Sequence, residues 1–121
     1  MSAKPDIVHE ADVYQLIEHF YTRVRPDPVI GHFFTELDWD HHIPHITQFW
    51  CMVLFGDRRF QGDPMTAHKK LNARLPMHPD HFAHWVVLFQ ATVDELFSGP
   101  KAEEAKQRAQ SIAGVMMHKV L

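Results

Sequence analysis

Apolar residues recur at helical spacing in the first quarter of the chain. Between about residues 8 and 25 they stand three or four positions apart, which predicts one face of an α-helix and shows no strand alternation. These residues are Val13, Leu16, Ile17, Phe20, Tyr21 and Val24. Pro26 and Pro28 predict the end of this helix, because neither can continue its hydrogen-bond ladder. Tyr21 lies in the last full turn of the apolar face, where a core ring with its hydroxyl at the edge is the ordinary arrangement.

The next two segments are bounded by proline and glycine. Residues 29–37 carry paired phenylalanines and predict a short helix or a corner. The longer segment after them predicts a helix that runs to about Phe55 and stops at Gly56. Pro44 fits a helix only in the first turn, so we expect this helix to begin near residues 40–41.

One face of this second helix contains a histidine within an apolar stripe. The stripe consists of His42, Ile46, Phe49, Trp50 and Val53. His42 is therefore expected to face inward. His41 and His45 form an i, i+4 pair of the kind that binds zinc, but no Glu or Cys stands at matching spacing. Solvated surface histidines are the expected interpretation of that pair.

Asp63 and Pro64 predict the start of another helix, because Asp supplies a capping acceptor and Pro lacks an N–H that the first turn could not use. Within this helix His68 shares a stripe with Met65, Leu71 and Leu75, so its imidazole faces inward. A buried neutral imidazole must satisfy one donor and one acceptor nitrogen, and a metal is one way to occupy the acceptor. A core histidine bonded to the backbone is the alternative, which this stretch alone favours.

Two longer helices complete the predicted fold. Residues 79–96 predict an amphipathic helix whose buried stripe includes Trp85. An indole N–H in a core needs an acceptor, either a carbonyl or a bound group, although packing alone is the more frequent explanation. Gly99 and Pro100 separate this helix from a last one over about residues 101–120.

No segment alternates as a strand would, so the chain is predicted to be all-α, with five or six helices of uneven length. We expect one domain over residues 1–121, a length that can bury a sizeable core. The short proline-bounded segments favour crossed packing of helices over an up-and-down bundle of equal helices.

Composition narrows the partners and the compartment. The net charge is −3, and Lys and Arg form no long basic run, so nucleic acid and anionic membrane are excluded as expected partners. Protonation of all eleven histidines would change this charge to +8. The single cysteine, Cys51, excludes an internal disulfide and a Cys-x-x-Cys-His haem attachment. The N-terminus shows no signal-peptide pattern and no apolar run is long enough to span a bilayer, so a cytoplasmic location is expected.

The inward-facing residues Tyr21, His42, His68 and Trp85 can be compared with what several chemistries require. A hydrolase triad has no serine at a strand-to-helix elbow, and a di-iron bundle would need inward carboxylates that this sequence lacks. His78, His81 and His84 step by three and drift around their helix, so they cannot easily meet one metal. Haem, in contrast, would use an axial imidazole from one short helix and a polar aromatic wall opposite, and three Trp with nine Phe could line a flat macrocycle.

An ordered set of short motifs resembles the truncated haemoglobins of the third group. The motifs are the stretch from Phe20 to Pro28, Trp39 to His42, Phe49 to Leu54, Gly62 to Met65 with His68, and Phe82 to Trp85. They extend over nearly the whole chain, from about residue 13 to residue 113, in order and at compatible spacings.

This resemblance implies a shortened globin fold, a two-over-two helical sandwich around non-covalent haem b. It implies that His68 is the proximal ligand of the haem iron and that Phe34 packs against the porphyrin. Tyr21, His42 and Trp85 match the residues that line the distal, ligand-binding side, and Trp85 thereby also contacts the cofactor. His32 stands where the family leads us to expect proline, which places a titratable group near a haem edge.

The function expected from the resemblance is binding of O2 and other diatomic ligands such as NO and CO, in order to carry or sense O2 or for detoxification. Tyr21 and Trp85 would donate hydrogen bonds to the ligand, while His42 would gate access or donate in preference to coordinating iron. An enzymatic alternative is a nitric oxide dioxygenase or a peroxidase-like activity, which would require an external reductase because no flavin or nicotinamide motif is present. A more remote alternative is a zinc-binding or other metal-binding helical protein.

Overall fold

A computed structural model describes residues 4–121 of the chain. Its elements are α1 (Glu10–Val24), a 3-10 helix (Gly31–Phe34), α2 (Trp39–Phe55), α3 (Pro64–Arg74), α4 (Pro79–Leu96) and α5 (Pro100–Val120). The described part of the chain contains no strand, so the predicted all-α class is confirmed. No helix in residues 4–121 is both long and apolar enough to cross a membrane.

Helix α1 begins and ends as its sequence predicts. The Asp12 carboxylate accepts hydrogen bonds from the N–H groups of Val8 and His9, both at 2.9 Å, which fixes the first turn. At the other end, the Arg25 N–H donates to the Tyr21 carbonyl at 3.0 Å before Pro26 stops the helix. All six predicted apolar positions of α1 are buried.

Helix α2 starts earlier than its proline suggests. It begins at Trp39, so Pro44 is its sixth residue, and the expectation that Pro44 lies in the first turn is wrong. The His42 N–H already donates to the Asp38 carbonyl at 2.8 Å. The N–H that Pro44 lacks would have bonded the Asp40 carbonyl. Both residues are exposed, so water can take the place of the missing helical partner.

The α-helices form two packed pairs. Helix α1 packs on α2 and α4 packs on α5, while contacts between α1 and α4 join the two pairs. The short helix α3 packs on α5 and closes one side. This arrangement is the predicted two-over-two sandwich.

Aromatic rings form the centre of the core. Phe89 of α4 is fully buried and stacks on Trp50 of α2, with 4.6 Å between ring centroids. Phe20 of α1 meets the Phe89 ring edge to face at 5.3 Å. These three rings join three helices, and their geometry fixes how the helices meet.

A residue at the start of the chain caps the last helix. The Asp6 carboxylate accepts the N–H groups of Lys101 at 3.0 Å and Ala102 at 2.8 Å, the first-turn donors of α5. Gly99 is required beside it, because its φ is +137° and an added Cβ would lie 2.6 Å from Asp6 Cγ. Burial alone would raise the pKa of Asp6, but these hydrogen bonds, the Ile7 N–H and the Lys101 charge together lower it.

We expect Asp6→Ala to lower the free energy of unfolding by about 1–2 kcal/mol, the usual cost of losing an N-cap. The matched control is Asp38→Ala, because Asp38 is the N-cap residue of α2 but its side chain makes no capping bond. Urea unfolding at neutral pH measures both. Since the pKa of folded Asp6 lies below 3.8, the stabilisation is present above that pH and is lost as pH falls through the lower, folded value. Equal losses in the two variants would contradict the capping role.

Candidate functional site

A pocket lies between the helices and is lined almost entirely by apolar and aromatic side chains. Water-molecule centres can occupy about 160 Å³ of it. Every α-helix and the 3-10 helix contribute to this main pocket. Its lining residues with a polar side-chain atom are Tyr21, His42, Trp50, His68, His81 and Trp85. The structure therefore brings all four predicted polar aromatics to one pocket, together with Phe34.

The start of α3 fixes the direction of the His68 ring. The Asp63 carboxylate accepts the Thr66 N–H at 3.1 Å and the Thr66 hydroxyl at 2.6 Å, so the predicted cap is present. One turn later, His68 Nδ1 lies 2.7 Å from the Pro64 carbonyl oxygen. A carbonyl only accepts, so Nδ1 must carry the proton and the Nε2 lone pair of the neutral ring stays free.

Helix α3 covers the pocket without being buried itself. None of its residues is buried, and the stripe that includes His68 and Leu71 is only half-buried. Pro64, His68 and Leu71 all line the main pocket. The apolar face of α3 is thus turned towards a space that protein atoms leave unfilled.

Tyr21 is almost fully enclosed in the wall of the pocket. The residue is 6% exposed, and its ring contacts Phe34, Trp39 and His42 with centroid separations of 5.5, 5.2 and 5.0 Å. Burial raises the pKa of the Tyr21 phenol well above its ordinary value. The hydroxyl therefore stays protonated and is available as a donor.

His42 has a buried polar atom without a partner. Its Nε2 is buried and makes no hydrogen bond within residues 4–121. Burial, followed by the neighbouring His45, His41 and His68, lowers the pKa of His42 to about 4, so the ring is neutral at pH 7. An orphaned buried nitrogen costs about 1–3 kcal/mol, and a polar guest in the pocket would remove that cost.

The core holds Trp85 against the pocket. Its indole stacks on Phe89 with 5.3 Å between centroids and meets the Phe20 ring edge to face at 5.6 Å. Trp85 is half-buried because it also lines the main pocket. Its ring orientation follows from the core packing.

The corner after α1 brings Phe34 to the pocket. The Asp27 carboxylate accepts the N–H groups of Val29 at 2.8 Å and Ile30 at 3.0 Å, and it pairs with His84 Nε2 of α4 at 2.8 Å. Gly31 allows the chain to pass close to α1, since an added Cβ would lie 2.7 Å from the Arg25 carbonyl oxygen.

The neighbouring His32 does not line the main pocket. It is exposed, and its ring lies tilted against Phe33 with 4.0 Å between centroids. The His81 ring lies 5.9 Å away. His32 therefore borders the pocket only through these neighbours.

Sequence reasoning missed His81 as a pocket residue. It lies four positions before Trp85 on α4, and that helical spacing could have placed it on the same face. His81 Nδ1 accepts the His78 N–H at 2.9 Å, which leaves its Nε2 to carry the proton. Burial, His78 and His32 lower the pKa of His81.

The other histidines do not assemble a metal site. His41 is exposed and stacks on His45 at 5.6 Å between centroids, while His45 packs on Phe60. Residues 4–121 contain no group of three or more His, Cys, Asp or Glu side chains that could hold a metal ion. The zinc alternative therefore has no multi-residue site in the described chain.

Comparison with known proteins defines the class. A model of the bacterial-like globin family matches residues 6–119, so the chain belongs to that family. It is 28% identical over 116 residues to the group 3 truncated haemoglobin of Campylobacter jejuni, covering 91% of this chain and 89% of that protein. It is also 36% identical over 78 residues to a group 1 truncated haemoglobin of Tetrahymena pyriformis, covering 64% and 61%.

Solved structures agree with this class. The crystal structure of the group III truncated haemoglobin from Campylobacter jejuni superposes with a TM-score of 0.87 at 27% identity, covering 98% of this chain and 95% of that one. The resemblance to the third group of truncated haemoglobins is thus confirmed. The 2/2 haemoglobin of a Synechococcus, with covalently attached haem, matches with a TM-score of 0.78 at 24% identity over 93% and 91% of the chains, which supports the fold alone.

The globin family implies a haem cofactor, and the main pocket fits one. An imidazole with a free Nε2 lone pair lines it, on His68. The apolar face of α3 is only half-buried and borders the pocket. The buried Nε2 of His42 has no hydrogen-bond partner within residues 4–121 and could bond to a polar group in the pocket. These three observations concern residues of this chain and agree with what a haem pocket requires.

The low pKa of His42 predicts a pH dependence of stability. Protonation of this ring favours the unfolded chain, so its contribution to stability is complete above its ordinary pKa of 6.5 and declines as pH falls towards about 4. We expect His42→Phe to reduce the loss of stability between pH 7.5 and 5 in the chain without added haem. His41→Phe, at an exposed ring, should leave that loss unchanged. Identical pH profiles of thermal unfolding for wild type and His42→Phe would refute the assignment.

Proposed function

We propose that this protein binds haem b non-covalently in the main pocket and uses it to bind O2 and other diatomic ligands. The observation that carries the proposal is that one apolar pocket contains both an imidazole able to bind a metal and several aromatic side chains with polar atoms. His68 directs its Nδ1 to the Pro64 carbonyl and so leaves Nε2 for a metal, and Tyr21, His42 and Trp85 offer three further polar aromatics. We also propose that residues 1–121 act as one domain.

His68 is the residue proposed to hold the iron. The Pro64 carbonyl fixes the ring tautomer through Nδ1 and makes Nε2 a better donor to a metal. Ferrous haem would supply the site with a metal that binds O2, NO or CO reversibly. Because Asp63 fixes where α3 begins, it also determines which face of the helix His68 occupies.

Tyr21 and Trp85 are proposed to stabilise the bound ligand. Tyr21 keeps its phenol proton because it is buried, and the Trp85 indole carries a permanent N–H, so both can donate a hydrogen bond to partial negative charge. A hydrogen bond to such charge contributes about 1.5–3 kcal/mol. Phe34 and the other apolar lining side chains offer water few hydrogen-bond partners in the same space.

His42 is proposed to donate to the ligand or to gate access to it. Its neutral ring contacts Tyr21 at 5.0 Å and Trp39 at 5.7 Å between centroids, so a change in its rotamer would affect both neighbours. Because its buried Nε2 lacks a hydrogen-bond partner, the ring would gain free energy by turning towards a polar guest.

Replacement of His68 tests the proximal assignment. We expect His68→Ala to lose the histidine-ligated absorption spectrum of the haem-loaded protein, and added imidazole to restore it by entering the space of the missing ring. His118→Ala is the matched control, since His118 is exposed on α5. An unaltered iron coordination spectrum in His68→Ala would exclude His68 as the ligand.

Removal of the proposed donors tests the distal assignment. We expect Tyr21→Phe, which deletes only a hydroxyl, and Trp85→Phe, which keeps an aromatic ring on Phe89, to speed O2 release by roughly ten- to a hundredfold each. Release of CO should change far less, because CO accumulates little negative charge. Stopped-flow displacement measures both ligands in each variant, and an O2 release rate equal to that of wild type would remove the residue from this role.

A further inference from the structure

One amide side chain joins α3 to two other parts of the chain. Asn72 is half-buried, and its Oδ1 accepts the N–H of Met77, in the loop before α4, at 2.7 Å. Its Nδ2 donates to the Val120 carbonyl of α5 at 3.5 Å, a longer and weaker hydrogen bond. The backbone N–H can only donate and the carbonyl can only accept, so the two partners determine which way the amide points. We refer to this pair of hydrogen bonds as the Asn72 contacts.

The chemistry of an asparagine matches both backbone groups. Met77 lies between α3 and α4, and Val120 is the last residue of α5, so neither group belongs to a helical hydrogen-bond ladder within residues 4–121. An apolar side chain of similar size would leave both groups without this partner. A carboxylate would serve the Met77 N–H alone, because it offers no donor to a carbonyl.

Few other interactions fix the position of α3. None of its residues is buried, so close packing on all sides does not hold it. Within the described residues, and apart from its own N-cap, one further side-chain hydrogen bond joins α3 to the rest of the chain, between Arg74 and Glu36 at 3.1 Å. Those two side chains are 61% and 76% exposed, and exposed ion pairs contribute little to stability. The Asn72 contacts are therefore the main polar attachment of this helix.

His68 lies one helical turn before Asn72. In an α-helix the N–H of residue 72 donates to the carbonyl of residue 68, so a displacement of one turn is passed to the other. The His68 ring is in turn directed by the Pro64 carbonyl, one turn earlier still. The Asp63 cap fixes the first turn of α3, and the Asn72 contacts fix the last.

The Asn72 contacts also reach the wall of the main pocket. Met77 lines that pocket, as does Leu71, the residue before Asn72. On α5, Met116 lines it one turn before Val120. A shift of Asn72 would thus change how α3 and α5 face each other across the space that His68 borders.

We propose that Asn72 is a positioning residue for His68, and that its amide sets the tilt and height of α3 over the main pocket and thereby the approach of His68 Nε2 to the haem iron. This inference rests on the proposed function, since it requires His68 to bind haem iron. Partners that orient a metal ligand without touching the metal commonly change metal affinity by ten- to a hundredfold. Asn72 would act in this way through the helix backbone.

Resonance Raman spectra of the ferrous, haem-loaded protein test this role. We expect Asn72→Leu, which removes both hydrogen bonds at similar size, to shift and broaden the iron–histidine stretching band and to speed haem loss by about ten- to a hundredfold. Asn72→Asp keeps the acceptor for the Met77 N–H and should shift the band less. Arg74→Leu removes the exposed link of the same helix and should leave the band where wild type has it.

An iron–histidine band at the wild-type position in Asn72→Leu would overturn the proposal, and Asn72→Asp decides in the same way if Asn72→Leu takes up no haem. Amide hydrogen exchange of the same haem-loaded variants reports opening of α3. Faster exchange with an unshifted band would also overturn the proposal, because Asn72 would then stabilise the helix without orienting His68. Absence of haem uptake, or of an iron–histidine band, in the wild-type chain would instead contradict the proposed function, so the two failures are distinguishable.

Discussion

The packing of the Phe89 ring is the constraint on which most of this structure depends. Phe89 is fully buried, stacks on Trp50 of α2 and on Trp85 of its own helix, and meets Phe20 of α1 edge to face. Aromatic pairs have narrow geometric preferences, so one ring orients three helices at once. Trp85 is the link from this core to the main pocket, and the position of its indole N–H follows from packing that lies on the other side of the ring.

The second constraint is the contact between Asp27, in the corner after α1, and His84 of α4. Asp27 uses its carboxylate both to shape the chain after α1 and to hold His84, the residue before Trp85. Burial alone would raise the pKa of Asp27, but the hydrogen bonds from His84 and from the two backbone N–H groups lower it, so it remains a carboxylate. The wall that carries Phe34 and the wall that carries Trp85 are therefore held in a fixed relation by one acidic side chain.

Local sequence rules predicted the helices well because the rules describe local causes. The Asp63-Pro64 start of α3 and the apolar face of α1 were both correct, since capping and periodicity involve residues within one or two turns. The predicted start of α2 was wrong because Pro44 was assumed to lie in the first turn. A proline is tolerated deeper in a helix when the carbonyl that loses its partner is exposed to solvent, and exposure is a property of the fold.

Contacts between residues that are far apart in sequence could not be predicted from local sequence rules. The predicted stripe of α2 mostly faces the main pocket, whereas Thr47, Cys51 and Leu54 are buried and were not in it. Nothing near Asp6 in sequence indicates that it caps a helix beginning at Pro100. The main pocket itself was inferred from four polar aromatics, all of which line it.

The lack of any buried residue on α3 has a thermodynamic consequence. An isolated helix of 11 residues is marginal in water, and this one obtains limited packing from α5. A guest that fills the space beneath α3 would therefore stabilise the helix, and part of its binding free energy would be used to order it. Substitutions on the solvent side of α3 that change only helix propensity, such as at Ala67 or Lys70, would then alter the guest's affinity without touching the pocket. Affinity for the guest and local folding of α3 would then be coupled.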